Sequence, residues 1–185
     1  MQMIRLMENG AEVRMSKRTG NFVTFAELLD EVGADVARFF FLMYQPNTHM
    51  DFDLTLAKER SEKNPVYYVQ YAHARACSIL RRSDFRQKKS DFLKHLVLRQ
   101  ELALIKKILQ LSEVIEDIAE DYQVQRLPKY IYELAKTFTE FYENCRVIDE
   151  SNKELTSARL ALVRVTQTTL AEALSLMGID APKKM

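Results

Sequence analysis

The residue types that could take part in chemistry lie close together near the start of the sequence, at Arg14, Met15, Ser16, Lys17, Arg18 and Gly20. A loop that presents Lys17 between two arginines can bring cations to a polyphosphate and withdraw them after reaction. Phosphoryl and nucleotidyl transfer add negative charge to the attacked phosphate, so a mobile Lys that meets this charge chiefly in the transition state accelerates the step. A solvated basic turn has the same short pattern, and these residues by themselves do not distinguish the two interpretations.

The composition limits what could position such a loop. The chain has 185 residues, of which 47% are hydrophobic, with four Gly, four Pro and a formal net charge of +1. This length suits one domain with a sizeable core, and the shortage of turn residues predicts a mostly helical fold. A nearly balanced net charge says nothing about a nucleic-acid partner, so local patches must decide that question.

The cysteines and the apolar segments argue against other classes of protein. Cys77 and Cys145 have neither CxxC spacing nor paired histidines nearby, so we expect no disulfide and no metal site. The longest apolar run, residues 39–43, cannot span a bilayer, and the first residues do not resemble a secretory signal. We expect a soluble protein of the cytoplasm with no membrane partner. Monomer is the default expectation for its oligomeric state.

Capping signals divide the chain into helices. Thr24 and Glu27 have the spacing of a capping box, and Asn64 followed by Pro65 is typical of the start of a helix. Residues 50–52 could form one short extended piece. From about residue 60 onward, long amphipathic helices joined by short connections can bury their apolar faces only against one another, which predicts an antiparallel helix bundle.

The sequence after the basic loop carries a family resemblance. The segment RMSKRTGNFVTFAELLDEVGADVARFFFLM resembles the KMSKS signature loop of class I aminoacyl-tRNA synthetases and the helices that follow it, in the form found in the arginyl enzymes. The resemblance continues through NPVYYVQYAHARACSILRR, FYENCRV and the ending ARLALVRVTQTTLAEALSLMGIDAPKKM. Within it, DVARFF resembles the element after which the DALR anticodon-binding domain is named. The whole chain therefore resembles the C-terminal part of an arginyl-tRNA synthetase.

This resemblance implies three segments. The fold class would be all-α. Residues 1–21 would be the end of a catalytic domain with its signature loop, residues 22–58 would be connecting helices near the tRNA stem, and residues 59–185 would form an antiparallel anticodon-binding helix bundle. The complete enzyme would ligate arginine to tRNA(Arg) with ATP and Mg²⁺. This chain has no HIGH sequence and no alternating βαβ pattern, so we expect that by itself it binds no cofactor and is inactive.

The resemblance also assigns roles to individual residues. Lys17 matches the second lysine of the signature, which in this family contacts ATP phosphates and stabilises the adenylation transition state. Arg14, Met15, Ser16 and Arg18 would complete the ATP-binding loop. Arg14 replaces the first lysine and keeps its charge without its compact ammonium group.

A surface that binds tRNA must offer cations to phosphates and aromatic rings to unstacked anticodon bases. The helix after Pro65 offers both on one face, at Tyr67, Tyr71, Arg75, Ser78 and Arg82. By resemblance, Tyr142 contacts the anticodon loop and Met185 lies close to the same nucleotides. The tyrosines could instead be half-buried packing residues with solvated hydroxyls.

Other charged features are less specific. Residues 75–99 are locally basic, which suits either a solvated loop or a phosphate-contacting surface. The acidic cluster of residues 113–121 should face away from RNA. No acid or nucleophile is spaced to orient His73, so we interpret it as a surface or core histidine rather than a general base.

Two rival interpretations remain open. A helical protein–protein interaction module without RNA binding would expose a broad apolar patch, which the polar outward faces do not suggest. The anticodon-binding domain of another class I synthetase, such as the cysteinyl enzyme, would have a related bundle. The segment YYVQYAHAR and the final methionine favour the arginyl assignment.

Overall fold

The computed structural model describes residues 4–13, 24–45, 47–83 and 92–185. Within these ranges there are seven α-helices and three short strands, so the prediction of a mostly helical chain is confirmed. The predicted signature loop, with Arg14, Met15, Ser16, Lys17 and Arg18, lies outside the described residues, as does the middle of the basic stretch at residues 84–91.

A small sheet at the N-terminal end corrects the all-α prediction. Strand β1 (Ile4–Glu8) lies between β2 (Ala11–Glu12) and β3 (Met50–Asp53). β1 is antiparallel to β2 across the turn at Asn9 and Gly10, and it is parallel to β3. Leu6 and Phe52 are opposite each other in this register and both are buried. The extended piece predicted at residues 50–52 is thus one edge of a sheet.

Three short helices pack beside this sheet: α1 (Phe25–Val32), α2 (Ala34–Leu42) and α3 (Leu54–Lys58). The capping box at the start of α1 is present, because the Thr24 hydroxyl accepts from the Glu27 N–H at 3.2 Å and the Glu27 carboxylate accepts from the Thr24 N–H at 2.6 Å. Lys58 at the end of α3 forms ion pairs with Glu8 of β1 and Glu31 of α1. These contacts attach the N-terminal sheet to the helices that precede the long ones.

Four long helices make up most of the rest: α4 (Pro65–Arg82), α5 (Arg99–Asp121), α6 (Arg126–Asn144) and α7 (Lys153–Leu176). A 3-10 turn at Phe92–His95 precedes α5. α6 packs against α4, α5 and α7, and its apolar face is buried at Ile131, Leu134, Phe138 and Phe141. This apolar face of α6 is therefore part of the main core.

α7 is followed by Met177 and Gly178, and a short tail begins there. Gly178 has φ +66°, a left-handed conformation that favours glycine. We call residues 178–185 the C-terminal tail. Arg38 of α2 donates a hydrogen bond to the Gly178 carbonyl, so the tail returns toward the N-terminal helices. Among the described helices, none combines the length and apolar character needed to cross a membrane.

Candidate nucleic-acid interface

Two tyrosine rings are stacked on the exposed side of α4. Tyr67 and Tyr71 are four residues apart, a spacing that places side chains above one another on a helix. Their ring centroids lie 6.3 Å apart and the rings are inclined by only 11°. Val69 and Ala76 on the other side of the helix are buried in the core. The helix thus fixes an aromatic surface in place by burying its opposite face.

Arg75 lies between Tyr71 of its own helix and Tyr142 of α6. The carbon of its guanidinium group is 5.2 Å from the centroid of the Tyr71 ring and 5.0 Å from that of Tyr142. Its Nη1 donates to the Tyr142 hydroxyl at 3.2 Å, and its Nη2 donates to the Tyr71 hydroxyl. Burial lowers the pKa of Arg75, but the tyrosine oxygens outweigh this effect and raise it. The guanidinium is therefore a fixed positive charge held between two rings.

The tyrosines line a groove between α4 and α6 of about 440 Å³, the first groove. Its lining consists of Ser61, Glu62, Tyr67, Tyr68, Tyr71, Ala72, Arg75, Phe138, Thr139, Tyr142 and Glu143. The Tyr68 hydroxyl donates to Thr139 Oγ1 at 3.1 Å, and burial raises the pKa of this phenol. The groove therefore has an aromatic lining in which the Tyr68 hydroxyl already has a hydrogen-bond partner.

A second groove of about 400 Å³ lies on the other side of Arg75. It shares Tyr71, Arg75 and Tyr142 with the first groove, and its remaining lining is Ala74, Ser78, Ile79, Arg81, Arg82, Lys183, Lys184 and Met185. Five of these lining residues carry a positive charge and none carries a carboxylate side chain. The second groove is therefore suited to an anion, whereas the first is suited to a flat ring.

The C-terminal tail supplies part of the second groove because hydrogen bonds tie it to α2 and α4. Gln70 Nε2 lies 3.0 Å from the Asp180 carbonyl oxygen and 2.9 Å from Asp35 Oδ2, and it donates to both. The same Asp35 oxygen accepts from the Asp180 N–H at 3.3 Å. Further along, Arg81 Nη2 donates to the Lys183 carbonyl at 3.4 Å. These bonds place the last three residues beside the aromatic face.

The structure brings together all the residues proposed above for RNA contact. Tyr67, Tyr71, Arg75 and Tyr142 line the first groove, and Tyr71, Arg75, Arg82, Tyr142 and Met185 line the second. Tyr71, Tyr142 and Met185 have 41%, 37% and 53% of their surface exposed. The rings are thus neither fully buried nor free of packing. None of the predicted ATP-loop residues can be placed, since they lie outside the described residues.

Sequence reasoning missed several residues of these grooves. Lys183 and Lys184 are not among the predicted residues, although a basic pair next to the final methionine is a usable signal. Tyr68 and Thr139 meet across two helices that are distant in sequence, so no local pattern could have paired them. His73 is buried with 1% of its surface exposed, as the interpretation of a core histidine allows.

The two grooves combine aromatic rings with positive charges. Within the described ranges no group of three or more His, Cys, Asp or Glu could hold a metal ion. Both cysteines are free thiols, and burial raises the pKa of each, which disfavours the reactive thiolate. What the surface offers is stacked phenol rings next to fixed cations, the combination that binds single-stranded nucleic acid.

Known proteins resemble the chain along its whole length. The arginine–tRNA ligase of Shouchella clausii (strain KSM-K16) is 46% identical over 187 residues, and that of Bacillus pumilus (strain SAFR-032) is 47% identical over 189 residues. Each alignment covers 100% of this chain and 34% of the relative. The chain therefore spans about a third of the length of the curated relatives it matches.

Solved structures agree with the sequence matches. A crystal structure described as an arginyl tRNA synthetase from Campylobacter jejuni superposes with a TM-score of 0.86 at 31% identity, covering 100% of this chain and 40% of that one. The arginyl-tRNA synthetase of Thermus thermophilus gives a TM-score of 0.69 at 30% identity, covering 91% of this chain and 29% of that one.

A family model adds the domain assignment. The model described as the DALR anticodon binding domain matches residues 69–185, which include most of α4, all of α5 to α7 and the C-terminal tail. This range is more than half of the chain and contains all but Tyr67 of the predicted RNA-contacting residues. The chain therefore belongs to the DALR anticodon-binding domain family.

Proposed function

We propose that the chain is the anticodon-binding end of an arginine–tRNA ligase and that it binds the anticodon loop of tRNA(Arg) with α4, α6 and the C-terminal tail. The observation that carries this proposal is the position of Arg75, which is held between the rings of Tyr71 and Tyr142 where an aromatic groove meets a basic one. A loop of single-stranded RNA presents bases and phosphates side by side, and the two grooves offer a complementary surface to each.

The two grooves would bind different parts of the RNA. An unstacked base would enter the first groove and stack on Tyr67, Tyr71 or Tyr142, each such interaction being worth about 1–3 kcal/mol. The backbone on either side would follow the cations of the second groove, including Arg82 and Lys183. Arg75 uses two N–H groups on the tyrosine hydroxyls and keeps the others for a base edge or a phosphate.

We also propose the segment boundaries and the bundle. Residues 1–21 would be the remnant of the catalytic domain, residues 22–58 the connecting helices and residues 59–185 the antiparallel bundle. Contacts between α5 and α6 support the bundle, since Asp121 pairs with Arg126 near one end of the two helices while Lys107 pairs with Glu133 further along. Such pairing is expected when consecutive helices run in opposite directions.

In a complete enzyme, ATP with Mg²⁺ and arginine would be bound by a catalytic domain that this chain lacks. Lys17 would contact ATP phosphates, with Arg14, Met15, Ser16 and Arg18 forming the rest of the loop. The protein would act in the cytoplasm as a monomer. By itself this chain would form no arginyl-adenylate, and pyrophosphate release intrinsic to it would contradict that assignment.

Binding of tRNA transcripts tests the proposal. A transcript of tRNA(Arg) and anticodon mutants of it should be titrated with the whole chain at two salt concentrations. We expect weak binding that depends on the anticodon bases and that Tyr142→Ala weakens by about 5- to 150-fold, which corresponds to the removal of one base–ring stacking interaction.

A matched control uses another exposed tyrosine. Tyr122 is 80% exposed and lines neither groove, so Tyr122→Ala should leave the affinity within about twofold. Binding that ignores the anticodon, or equal losses in the two variants, would leave only general electrostatic attraction and would overturn the proposal.

The assignment of Lys17 needs the complete enzyme. Lys17→Ala in the full-length protein should lower turnover far more than it lowers the affinity for ATP, because the side chain is assigned to the transition state. An unchanged turnover would remove that role.

A further inference from the structure

The C-terminal tail is held against α4 by a buried histidine that belongs to neither groove. His73 Nδ1 lies 2.9 Å from the Pro182 carbonyl oxygen, and His73 Nε2 lies 2.9 Å from the amide nitrogen of Gln167 on α7. The carbonyl can only accept, so Nδ1 must carry the proton. Pro182 immediately precedes Lys183 and Lys184, which line the second groove.

The neutral form of His73 satisfies this network completely. With Nδ1 protonated, Nε2 has a free lone pair and accepts from the Gln167 amide N–H. The other end of that amide is also engaged, because Arg164 Nη1 donates to Gln167 Oε1 at 3.5 Å. Turning the amide to suit a protonated Nε2 would bring its N–H groups against the Arg164 guanidinium. The Gln167 end of the network therefore favours the neutral imidazole, whereas the Nδ1–H bond to Pro182 is possible in either form.

Lys183 of the tail also favours the neutral imidazole. Cys77 Sγ lies 3.7 Å from Nε2, and the cations that act on His73 or on Cys77 are Lys183 of the tail, Arg81 of α4 and Arg164 of α7. The carboxylate of Asp35 on α2 accepts from Gln70 and from the Asp180 N–H. Burial, opposed by the bond to Pro182 and assisted by Lys183, lowers the pKa of His73.

We propose that His73 is a positioning residue for RNA recognition: in its neutral form it anchors the tail that carries Lys183, Lys184 and Met185. Protonation of Nε2 turns its contact with the Gln167 amide nitrogen into one between two donors and adds a buried charge near Lys183, so the tail is released and the ring reaches water. This inference rests on the proposed function for its consequence in RNA binding, but the anchoring itself does not. Because the pKa of His73 is lowered in the folded chain, its contribution to anchoring is complete above the unfolded value of about 6.5 and is lost as pH falls through the folded value.

Hydrogen exchange of the Asp180 amide tests the anchoring without RNA, since this N–H is protected by Asp35 only while the tail is docked. After correction for intrinsic exchange rates, opening of the tail in the whole chain should increase by up to about tenfold between pH 7.5 and 5.5. NMR titration of the His73 ring should give a midpoint below about 6.5. An opening that does not change with pH would overturn the proposal.

Three variants separate a positioning role from a merely structural one. His73→Leu should open the tail at both pH values. His73→Asn keeps a donor for the Pro182 carbonyl but cannot titrate, so its opening should be independent of pH. Gln167→Glu places a carboxylate against Nε2, and it should raise the pKa of His73 and keep the tail docked at pH 5.5. Circular dichroism verifies that each variant is folded, and a wild-type pH response in His73→Asn would contradict the proposal.

The effect of His73 on tRNA binding is measured in a separate experiment. Removal of residues 183–185 and His73→Leu should each weaken tRNA binding at pH 7.5 by several-fold, and the two losses should not add, because both remove the same tail from the groove. Additive losses would show that His73 acts in another way. If the wild-type chain bound no tRNA, that result would count against the proposed function, and the exchange experiment would still decide the role of His73.

Discussion

The carboxylate of Glu101 lies 2.7 Å from Nε of Arg159, and these side chains have 0% and 8% of their surface exposed. Glu101 also accepts from the Leu98 N–H at the start of α5 at 2.8 Å. Arg159 of α7 donates to the Arg146 carbonyl at 2.8 Å in the connection that follows α6. One buried ion pair thus joins the beginnings of α5 and α7 to the end of α6.

Breaking this pair from one side should destabilise the chain strongly. Glu101→Leu leaves a buried guanidinium without its carboxylate, and Arg159→Met leaves a buried carboxylate, so each should lower the free energy of unfolding by about 3–5 kcal/mol. The double variant should be more stable than either single variant, because it leaves no uncompensated charge. Urea denaturation measures all three.

An exposed pair provides the control for this prediction. Lys63 lies 3.7 Å from Glu59 with 76% of its side chain exposed, and Lys63→Ala should change the free energy of unfolding by less than about 1 kcal/mol. If Lys63→Ala and Glu101→Leu lowered the free energy of unfolding equally, burial would not explain the cost of breaking the Glu101–Arg159 pair.

Local signals predicted much of the fold because they act within one helical turn. Thr24 with Glu27, and Asn64 with Pro65, mark the first residues of α1 and α4 as the structure has them. The buried residues Ile131, Leu134, Phe138 and Phe141 of α6 likewise lie three or four positions apart. Such patterns depend on neighbours three or four residues away, so one sequence is enough to reveal them.

The features that were missed depend on distant partners. β1 has one buried residue, Leu6, so the strand has no alternating pattern of its own, and its parallel partner β3 follows more than 40 residues later. Glu101 and Arg159 look like ordinary surface charges until α5 and α7 pack together. For the same reason, helical spacing predicted the aromatic face of α4 but gave no indication that the tail lies beside it.

The lysines of the tail should contribute to the salt dependence of RNA binding. Replacing both Lys183 and Lys184 by Ala should weaken binding of a tRNA(Arg) transcript and reduce the slope of log K against log salt by up to about 1.4, or about 0.7 for each phosphate that is no longer neutralised. Replacing Lys129 and Lys153, which line neither of the two grooves, removes the same charge and should reduce this slope by less than the Lys183 and Lys184 replacement does. An equal change in both double variants would mean that total charge matters rather than the groove.

The two thiols should differ in reactivity, and both should resist ionisation. Cys145 is buried and Cys77 is half-buried, and burial raises the pKa of each. A raised pKa means a smaller thiolate fraction at pH 8 than an ordinary cysteine has, so labelling by a disulfide reagent should be slow and should still accelerate as pH rises above 9. Cys77→Ser and Cys145→Ser variants identify each rate, with Cys145 the slower. A Cys145 rate equal to that of the unfolded chain would contradict its burial.

Asn64 should be the most costly helix cap to remove. Its Oδ1 accepts from the Val66 N–H at 3.0 Å, while its Nδ2 lies 3.0 Å from the carbonyl oxygens of Ala57 and Glu59, and only 3% of the residue is exposed. Asn64→Ala therefore removes a cap worth about 1 kcal/mol and also leaves buried carbonyls without donors, for a total loss of about 2–4 kcal/mol in the free energy of unfolding. Asn152, the exposed cap of α7, accepts from the Leu155 N–H at 3.0 Å, and Asn152→Ala should cost about 1 kcal/mol because it leaves no buried group unpaired. Equal losses in urea denaturation would show that Asn64 acts only as a cap and does not also hold the end of α3 against the start of α4.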